Sequence, residues 1–301
     1  MSIYYRGNPL PEESVGELEA FQGDVSDAFA LQECINRNGY AYIPGALNRD
    51  RVFAARGVVL QKLHEVGEID APIFDGIPTG TSNREEMVDD LGDWWKEVSE
   101  CRAVRDITHG AELKGIMSKI LGEPAVGTDY VILRVASGGQ GTRFHYDHPF
   151  FNRYKGVRIL TAWIPFGDLP FGKGTLSMVE GSMHFEDLVS QIRDVDVYSE
   201  PGRSVELDLE PEGLIAERNA RLLTTDFRAG DVIIFEQMLL HGSFDSDTST
   251  NKVRMSCDVR WQPASAELDD RYFGENPKGI TGGGYAELNG AKPLPAKWHV
   301  R

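Results

Sequence analysis

Cysteine, basic charge and long apolar runs are all scarce in this chain of 301 residues. Its cysteines, Cys34, Cys101 and Cys257, are too few and too widely spaced for a secreted disulfide framework or a cysteine metal site. The 47 Asp and Glu residues outnumber 31 Lys and Arg, and the formal net charge of −16 repels nucleic acid and anionic lipid. Apolar runs such as 232–235 are far too short to cross a membrane. We expect a protein of the reducing cytoplasm that binds neither nucleic acid nor membranes.

Signals for secretion and for two common enzyme classes are also missing from the sequence. The N-terminal stretch has no basic segment followed by an apolar one, so we expect no signal peptide. A serine hydrolase would need a Gly-x-Ser-x-Gly elbow, which does not occur. The segment Gly172-Lys173-Gly174 lacks the third glycine and the flanking elements of a dinucleotide-binding turn. Both hydrolase and dehydrogenase activity are therefore disfavoured.

Helical and β-type patterns divide the chain near residue 125. Residues about 1–125 show capping residues and apolar spacings that predict helices, with one short strand at 40–43. Beyond them, short apolar runs bounded by Gly, Pro or Asp predict strands at 129–136, 157–165, 175–179, 231–235 and 253–261. Short strands without long helices between them predict an antiparallel sandwich or barrel. We predict a mainly β protein with flanking helices, folded as a single domain over residues 1–301.

Two segments interrupt or follow the β core, which is predicted at about 126–263. Residues 185–230 are acidic and weakly periodic, and we interpret them as an insertion that serves as a lid over the site. Residues 264–301 predict an irregular C-terminal tail. Specificity usually resides on loops over a rigid scaffold, so the insertion and the loop at 70–83 are expected to wall the substrate pocket.

The strongest local signal for chemistry is the segment His145-Tyr146-Asp147. In an extended chain, residues two apart point to the same face, so an imidazole and a carboxylate would reach the same point in space. Such a pair supplies two of the three ligands of the 2-His-1-carboxylate site of non-haem Fe(II) oxygenases. Taken alone the motif is weak, since a hydrogen-bonded pair on a surface turn has the same sequence.

His241 is our candidate for the third ligand, although a histidine beside apolar residues is more often a core or turn residue. It follows the predicted strand at 231–235 and precedes a candidate anion anchor. Among the 7 histidines, His184 is its main competitor, because it lies just after the predicted strand at 175–179.

The candidate anchor is Arg254, thirteen residues after His241 in the sequence. Strand alternation places Arg254, Ser256 and Asp258 on one face and apolar residues on the other. An arginine that faces into a barrel is costly unless it meets an anion, and its planar fork suits a carboxylate. Pairing with Asp258 or solvation at the surface remains an alternative, and Arg260 is a second candidate anchor by the same alternation.

Several motifs occur together in a specific order along the chain. They are His145-Tyr146-Asp147, Trp163-Ile164-Pro165-Phe166, Gly174-Thr175-Leu176 leading to Gly181-Ser182, Gly230-Asp231-Val232 leading to His241-Gly242-Ser243, and Arg254-Met255-Ser256. Over roughly residues 25–263 the ordered set resembles the phytanoyl-CoA dioxygenase family of Fe(II)- and 2-oxoglutarate-dependent oxygenases. The segment 254–263 is most similar to that in bacterial natural-product hydroxylases of this family. The resemblance implies a double-stranded β-helix, or jelly-roll, core.

The resemblance also implies roles for individual residues. His145, Asp147 and His241 would be the iron ligands, and Arg254 would pair with the distal carboxylate of 2-oxoglutarate. Asp147 occupies the position where the halogenating branch of the family has a small residue, so halogenation is disfavoured.

Further positions match the co-substrate and substrate sites of the family. The resemblance implies that Ser243 hydrogen-bonds 2-oxoglutarate and that Trp163 lines the same pocket, where a plain core role is at least as plausible. Arg134 matches a basic position near co-substrate or substrate. One departure is that this chain reads Gly181-Ser182-Met183-His184 where the family usually has Gly-Ser-His, which leaves the role of His184 in doubt.

We therefore predict an Fe(II)/2-oxoglutarate-dependent dioxygenase that uses O2 to hydroxylate or otherwise oxidise an unactivated C–H bond. The substrate would be a small organic metabolite, and the co-substrate would leave as succinate and CO2. A non-catalytic jelly-roll binding protein is the first alternative. A cupin-type metalloenzyme without 2-oxoglutarate is the second, and it would need further ligands near His145, where His148 is the only extra histidine.

Overall fold

Helices flank two β-sheets in the computed structural model, most of them against the larger sheet, and the structure describes residues 2–200, 211–246 and 252–296. The α-helices are α1 (Ala28–Asn38), α2 (Arg49–Glu65), α3 (Arg84–Met87), α4 (Leu91–Ser99), α5 (Arg102–Thr108), α6 (Ala111–Leu121), α7 (His148–Phe151), α8 (Glu186–Ile192) and α9 (Pro211–Arg218). Short 3₁₀ turns lie at Glu12–Ser14, Ile73–Asp75, Ser182–His184, Gly284–Glu287 and Asn289–Ala291.

The strands form a larger and a smaller sheet in addition to an N-terminal hairpin. They are β1 (Tyr4–Tyr5), β2 (Asn8–Pro9), β3 (Val15–Glu17), β4 (Tyr40–Ile43), β5 (Ala125–Gly127), β6 (Ile132–Ala136), β7 (Leu160–Pro165), β8 (Leu176–Val179), β9 (Leu222–Thr224), β10 (Val232–Glu236), β11 (His241–Ser243) and β12 (Arg254–Pro263). The 6-stranded sheet has the order β4-β10-β7-β12-β5, with β6 also paired to β12. The 4-stranded sheet has the order β11-β8-β9-β3. These facing sheets form the predicted double-stranded β-helix.

Strand alternation separates two apolar cores on the faces of the larger sheet. On β10, Val232 and Ile234 belong to the core shared with the helical layer, whereas Ile233 and Phe235 belong to the core between the sheets. Because successive side chains of a strand point to opposite faces, one strand serves both cores. The space between the sheets is thereby closed on the helical side.

The helical layer begins where the sequence provides caps. The side chain of Asp27 accepts a hydrogen bond at the start of α1, and Gly39 ends that helix in the left-handed conformation, with φ 79°. Asn48 caps α2 in the same way. Asp24, a further acidic residue before α1, does not cap the helix but accepts a hydrogen bond from the amide of Ser26 in the preceding turn.

The smaller sheet contains strands that the sequence pattern did not indicate. β9 lies inside the range 185–230, which we interpreted as an insertion, yet it pairs with β8 and β3. A strand of 3 residues is too short to produce an alternation pattern, so this part of the range belongs to the jelly roll. Residues 201–210 of the same range lie outside the described residues. The division of the chain near residue 125 and the single domain stay predictions.

None of the described helices is both long and apolar enough to cross a bilayer.

Candidate metal centre and co-substrate cavity

The two histidines of the predicted site face one another across a backbone bridge. The amide of His145 donates to the carbonyl of His241 at 2.9 Å, and the amide of His241 donates to the carbonyl of His145 at 3.0 Å. The bridge lies on the edge of β11 opposite β8. It brings the centroids of the two imidazole rings to 4.3 Å. Residues almost a hundred positions apart in the sequence are thus placed side by side by β pairing.

The side chain of Asp147 completes a compact group of three possible metal ligands. Its Oδ1 lies 3.6 Å from Nε2 of His145 and 3.8 Å from Nε2 of His241. One ligand atom from each residue lies within 4.8 Å of the others, and this is the only such group of three or more among the described residues. The structure therefore brings together all three residues that we expected to bind iron.

Hydrogen bonds orient both imidazole rings towards the centre of the group. Nδ1 of His145 donates to the carbonyl of Arg143 at 2.8 Å, and Nδ1 of His241 donates to the carbonyl of Leu239 at 3.0 Å. A proton on Nδ1 leaves the lone pair of each neutral ring on Nε2, the atom that faces Asp147. Burial lowers the pKa of His241 to about 4, so this imidazole is neutral at pH 7.

The carboxylate of Asp147 has one oxygen held and one directed at the imidazoles. Its Oδ2 accepts hydrogen bonds from Thr161 and from Arg260, each at 2.7 Å. Burial alone would raise the pKa of this carboxyl group, but Arg260 and the neighbouring His241 and His145 together outweigh that effect, and the pKa lies well below the ordinary value. Two imidazoles that present Nε2 and one ionised carboxylate are the donor set that suits Fe(II), so the residues fit the metal.

A cavity opens beside the candidate ligands, between the two sheets. Its lining residues are Arg134, Thr142, His145, Thr161, Trp163, Leu176, Phe235, His241, Gly242, Ser243, Arg254, Asp258 and Arg260. All of the predicted metal, co-substrate and substrate residues except Asp147 therefore contribute to its wall. The expected wall from the loop at 70–83 and from residues 185–230 is absent from this described lining.

Arg254 lies in the cavity without a carboxylate partner among the described residues. Its Nε donates to the carbonyl of Gly174 at 3.0 Å, and its Nη1 donates to the hydroxyl of Ser256. The guanidinium carbon is 5.6 Å from the ring centroid of Trp163. Burial lowers the pKa of Arg254 to about 10, which still leaves a full positive charge at neutral pH. A half-buried cation with no carboxylate partner in the described chain is the arrangement expected of an anion site.

The other predicted residues occupy distinct positions around this cavity. Ser243 accepts a hydrogen bond at Oγ from the amide of Thr142, at 2.7 Å. Arg134 donates from Nε to Oδ2 of Asp258 at 3.0 Å. Arg260, our second candidate anchor, instead contacts Asp147 at the metal end. The structure thus distinguishes between Arg254 and Arg260, the two candidate anion anchors on β12.

The competing histidines do not join the group. His184 is exposed and ends the 3₁₀ turn that begins at Ser182. Nε2 of His148 lies 2.9 Å from the carbonyl of Arg193, away from the ligand cluster. The additional ligands required of a cupin-type site are therefore not found among the described residues.

Two polar residues of the site were missed in the sequence. Thr161 precedes Trp163 by two positions on β7 and so shares its face, but a single threonine in an apolar strand did not indicate a contact with Asp147. The role of Asp258 as partner of Arg134 was equally invisible, because the contact joins β12 to β6. The alternation pattern on β7 is the signal that could have identified Thr161.

Comparison with known proteins shows which protein family the chain belongs to. The family model of phytanoyl-CoA dioxygenase matches residues 35–256, and the chain belongs to this family. Membership confirms the predicted activity class, an iron- and 2-oxoglutarate-dependent dioxygenase, and hence an oxidoreductase.

The chain is similar to two curated bacterial hydroxylases. It is 28% identical over 254 residues to the 1-deoxypentalenic acid 11-beta-hydroxylase of Streptomyces exfoliatus, across 80% of this chain and 83% of that protein. Identity to the protein of the same name from Streptomyces arenae is 26% over 258 residues, with the same coverage of 80% and 83%.

Solved structures with the same fold come from natural-product pathways. The alpha ketoglutarate-dependent carbocyclase SnoK from nogalamycin biosynthesis aligns with a TM-score of 0.54 at 20% identity, covering 94% of this chain and 97% of that chain. The epimerase SnoN, solved in complex with Fe3+, alpha ketoglutarate and nogalamycin RO, aligns with a TM-score of 0.53 at 19% identity, covering 92% and 98%. At these identities the likeness supports the jelly-roll fold alone.

Proposed function

We propose that His145, Asp147 and His241 hold Fe(II), that Arg254 binds the distal carboxylate of 2-oxoglutarate, and that the enzyme hydroxylates a small organic metabolite. The observation that carries the proposal is the convergence of Nε2, Oδ1 and Nε2 within 4.8 Å, beside a cavity that contains an arginine with no carboxylate partner among the residues described. When bound, the iron, the co-substrate and O2 supply the oxidation of a C–H bond, with succinate and CO2 as the other products.

The residues of the chain prepare the site before any ligand enters. Carbonyl groups fix both rings through Nδ1, so that no ring has to turn when the metal binds. Arg254 is already held by Gly174 and Ser256, and its fork remains available to a carboxylate. Trp163 and Ser243 line the space between Arg254 and the ligand group, which suits their proposed contacts with 2-oxoglutarate. The apolar walls exclude water and strengthen each of these charge interactions.

Arg134 supports the proposal that the substrate is a small organic acid. It lies on the same cavity wall as Arg254, and its side chain is 25% exposed, so it faces the more open part of the site. Its Nε is bound by Asp258, whereas no partner of its two Nη atoms is found in the described chain. The curated relatives are named for an organic acid, 1-deoxypentalenic acid, which agrees with a substrate of this chemical class.

We further propose that the protein is a single domain of the cytoplasm. The contact of α1 and α6 with the larger sheet through one continuous apolar core supports a single domain. The three free cysteines, of which Cys34 and Cys257 are buried, support a reducing compartment. A lid function for residues 185–230 also remains a proposal.

Substrate-independent turnover of 2-oxoglutarate tests the ligand set. Asp147→Ala and His145→Ala should abolish succinate release and the visible absorption of the anaerobic Fe(II)–2-oxoglutarate chelate. His184→Ala is the matched control, because it removes an exposed histidine of a 3₁₀ turn outside the group, and it should leave both signals intact. Survival of the chelate band in Asp147→Ala would contradict the assignment. Organic acids that stimulate succinate release and gain one oxygen, by mass, would then identify the substrate.

A further inference from the structure

The guanidinium of Arg260 has an arrangement that stability alone does not explain. Its side chain is 5% exposed, and only its Nη2 has a protein acceptor, Oδ2 of Asp147. Its Nε and Nη1 are buried without a hydrogen-bond partner among the described residues. A buried donor that makes no hydrogen bond costs about 1–3 kcal/mol, and apolar residues of similar size often replace a buried ion pair without loss. The contact with Asp147 is therefore the feature to be explained.

The larger sheet holds Arg260 and Thr161 in a fixed relation to each other. Arg260 on β12 and Thr161 on β7 are direct partners in the strand register, and both side chains face the space between the sheets. The guanidinium carbon also lies 4.7 Å from the ring centroid of Phe151, which packs against it from α7. Two donors on neighbouring strands thus reach the same oxygen of Asp147, each at 2.7 Å.

The opposite oxygen of Asp147 is left for the metal. Oδ1 is the atom that lies near both imidazoles, at 3.6 and 3.8 Å, whereas Oδ2 is directed at the sheet. A carboxylate with both oxygens free can rotate or bind a metal through two oxygens, which occupies an additional coordination position. Groups that hydrogen-bond to metal ligands orient them and tune their affinity for the metal.

We propose that Arg260 and Thr161 are positioning residues that hold Oδ2 of Asp147, so that the carboxylate offers the metal Oδ1 alone. This keeps positions of the metal free for 2-oxoglutarate and O2. The inference rests on the proposed ligand set and adds to it the pair of residues that determines how Asp147 binds.

Metal titration without turnover tests the proposal. Metal-free protein is titrated anaerobically with Co(II) in the absence of 2-oxoglutarate, and both the dissociation constant and the visible d–d absorption are recorded. Thr161→Val removes one hydrogen bond at constant shape, and Thr161→Ser retains the hydroxyl group. We expect an approximately tenfold weaker dissociation constant and an altered d–d band for Thr161→Val, with wild-type values for Thr161→Ser. Arg260→Met should weaken binding by about 10- to 100-fold.

A matched control separates metal effects from general destabilisation. Arg84 forms an equally buried ion pair with Glu68 at 2.6 Å, among residues that do not line the cavity. Arg84→Met should lower the thermal unfolding temperature and leave Co(II) affinity and spectrum unchanged. If Arg260→Met does not fold, the comparison of Thr161→Val with Thr161→Ser decides the question.

The outcomes distinguish this inference from the proposed function. Wild-type affinity and spectrum in Thr161→Val and in folded Arg260→Met, together with weak binding in Asp147→Ala, would overturn the positioning role and leave the ligand set intact. Wild-type affinity in Asp147→Ala itself would overturn the ligand set and the positioning role together.

Discussion

The two faces of β12 have opposite chemistry although their residues alternate along one strand. Met255, Cys257, Val259 and Trp261 pack into the core beneath the helices. Arg254, Asp258 and Arg260 point into the cavity on the other side. The comparison shows that one strand can carry the stability of the fold on one face and the chemistry on the other, because neighbouring side chains share a backbone but no contacts.

The same separation explains how buried charge is tolerated in the molecule. Each charged residue on the cavity face has an observed partner or a proposed one. Arg260 pairs with Asp147, and Asp258 pairs with Arg134. The proposed partner of Arg254 is the carboxylate of 2-oxoglutarate. The apolar face has no such requirement, because its side chains are buried among other apolar residues. Substitutions on the apolar face should therefore change unfolding, whereas those on the cavity face should change ligand binding.

Trp261→Ala should have the largest effect and should act on stability. Its side chain is 1% exposed and lies against His109, so its removal leaves a cavity that costs about 3–5 kcal/mol of unfolding free energy. Urea unfolding measures this loss. The 2-oxoglutarate concentration for half-maximal turnover should stay at the wild-type value in the folded variant, and a rise in it would contradict the separation of the two faces.

Arg254→Met should act on 2-oxoglutarate binding rather than on stability. Loss of the buried partner of a carboxylate costs about 2–5 kcal/mol in binding, or roughly 30-fold or more in the 2-oxoglutarate requirement. Iron affinity should change far less, because no ligand atom is removed. Steady-state kinetics and anaerobic Co(II) titration measure the two quantities. An equal weakening of iron and 2-oxoglutarate binding would show that Arg254 is not a dedicated anchor.

His109, on the helical side of the larger sheet, should make a smaller contribution to stability that depends on pH. Burial lowers the pKa of His109 to about 4, from an ordinary value of 6.5. Between these two pH values His109 is protonated in the unfolded chain but neutral in the folded protein. Stability is therefore lost as the pH falls from about 6.5 to 4. In metal-free His109→Gln this dependence should be shallower by the share of one histidine. Unfolding curves across that pH range would reveal an unchanged slope if the assignment were wrong.

Removal of an exposed ion pair should have the smallest effect. Arg49 and Asp168 approach to 2.7 Å, but their side chains are 46% and 52% exposed. Because solvent screens such pairs, Arg49→Ala should cost no more than about 1 kcal/mol in unfolding and should not change turnover. A loss of unfolding free energy as large as that of Trp261→Ala would show that solvent does not weaken the Arg49–Asp168 ion pair.

The sequence alone predicted much of this architecture, and its failures have a common cause. Strands of the larger sheet, such as β7, β10 and β12, were recognised because they are apolar runs bounded by Gly, Pro or Asp. The 3-residue strands β9 and β11 were not, since their existence depends on partners distant in the chain. The pair Asp258–Arg134 and the contact of Thr161 with Asp147 likewise join separate strands.

The amino-acid sequence by itself determined the ordered motifs, the family and the alternation that places Arg254 inside, since these depend on residue types and on spacing along one strand. The tertiary structure decided which of Arg254 and Arg260 is bound to Asp147 and which has no carboxylate partner within the described part of the chain. That choice depends on the registers of β7, β12 and the bridge between His145 and His241. Register is a property of paired strands, and no single strand encodes it.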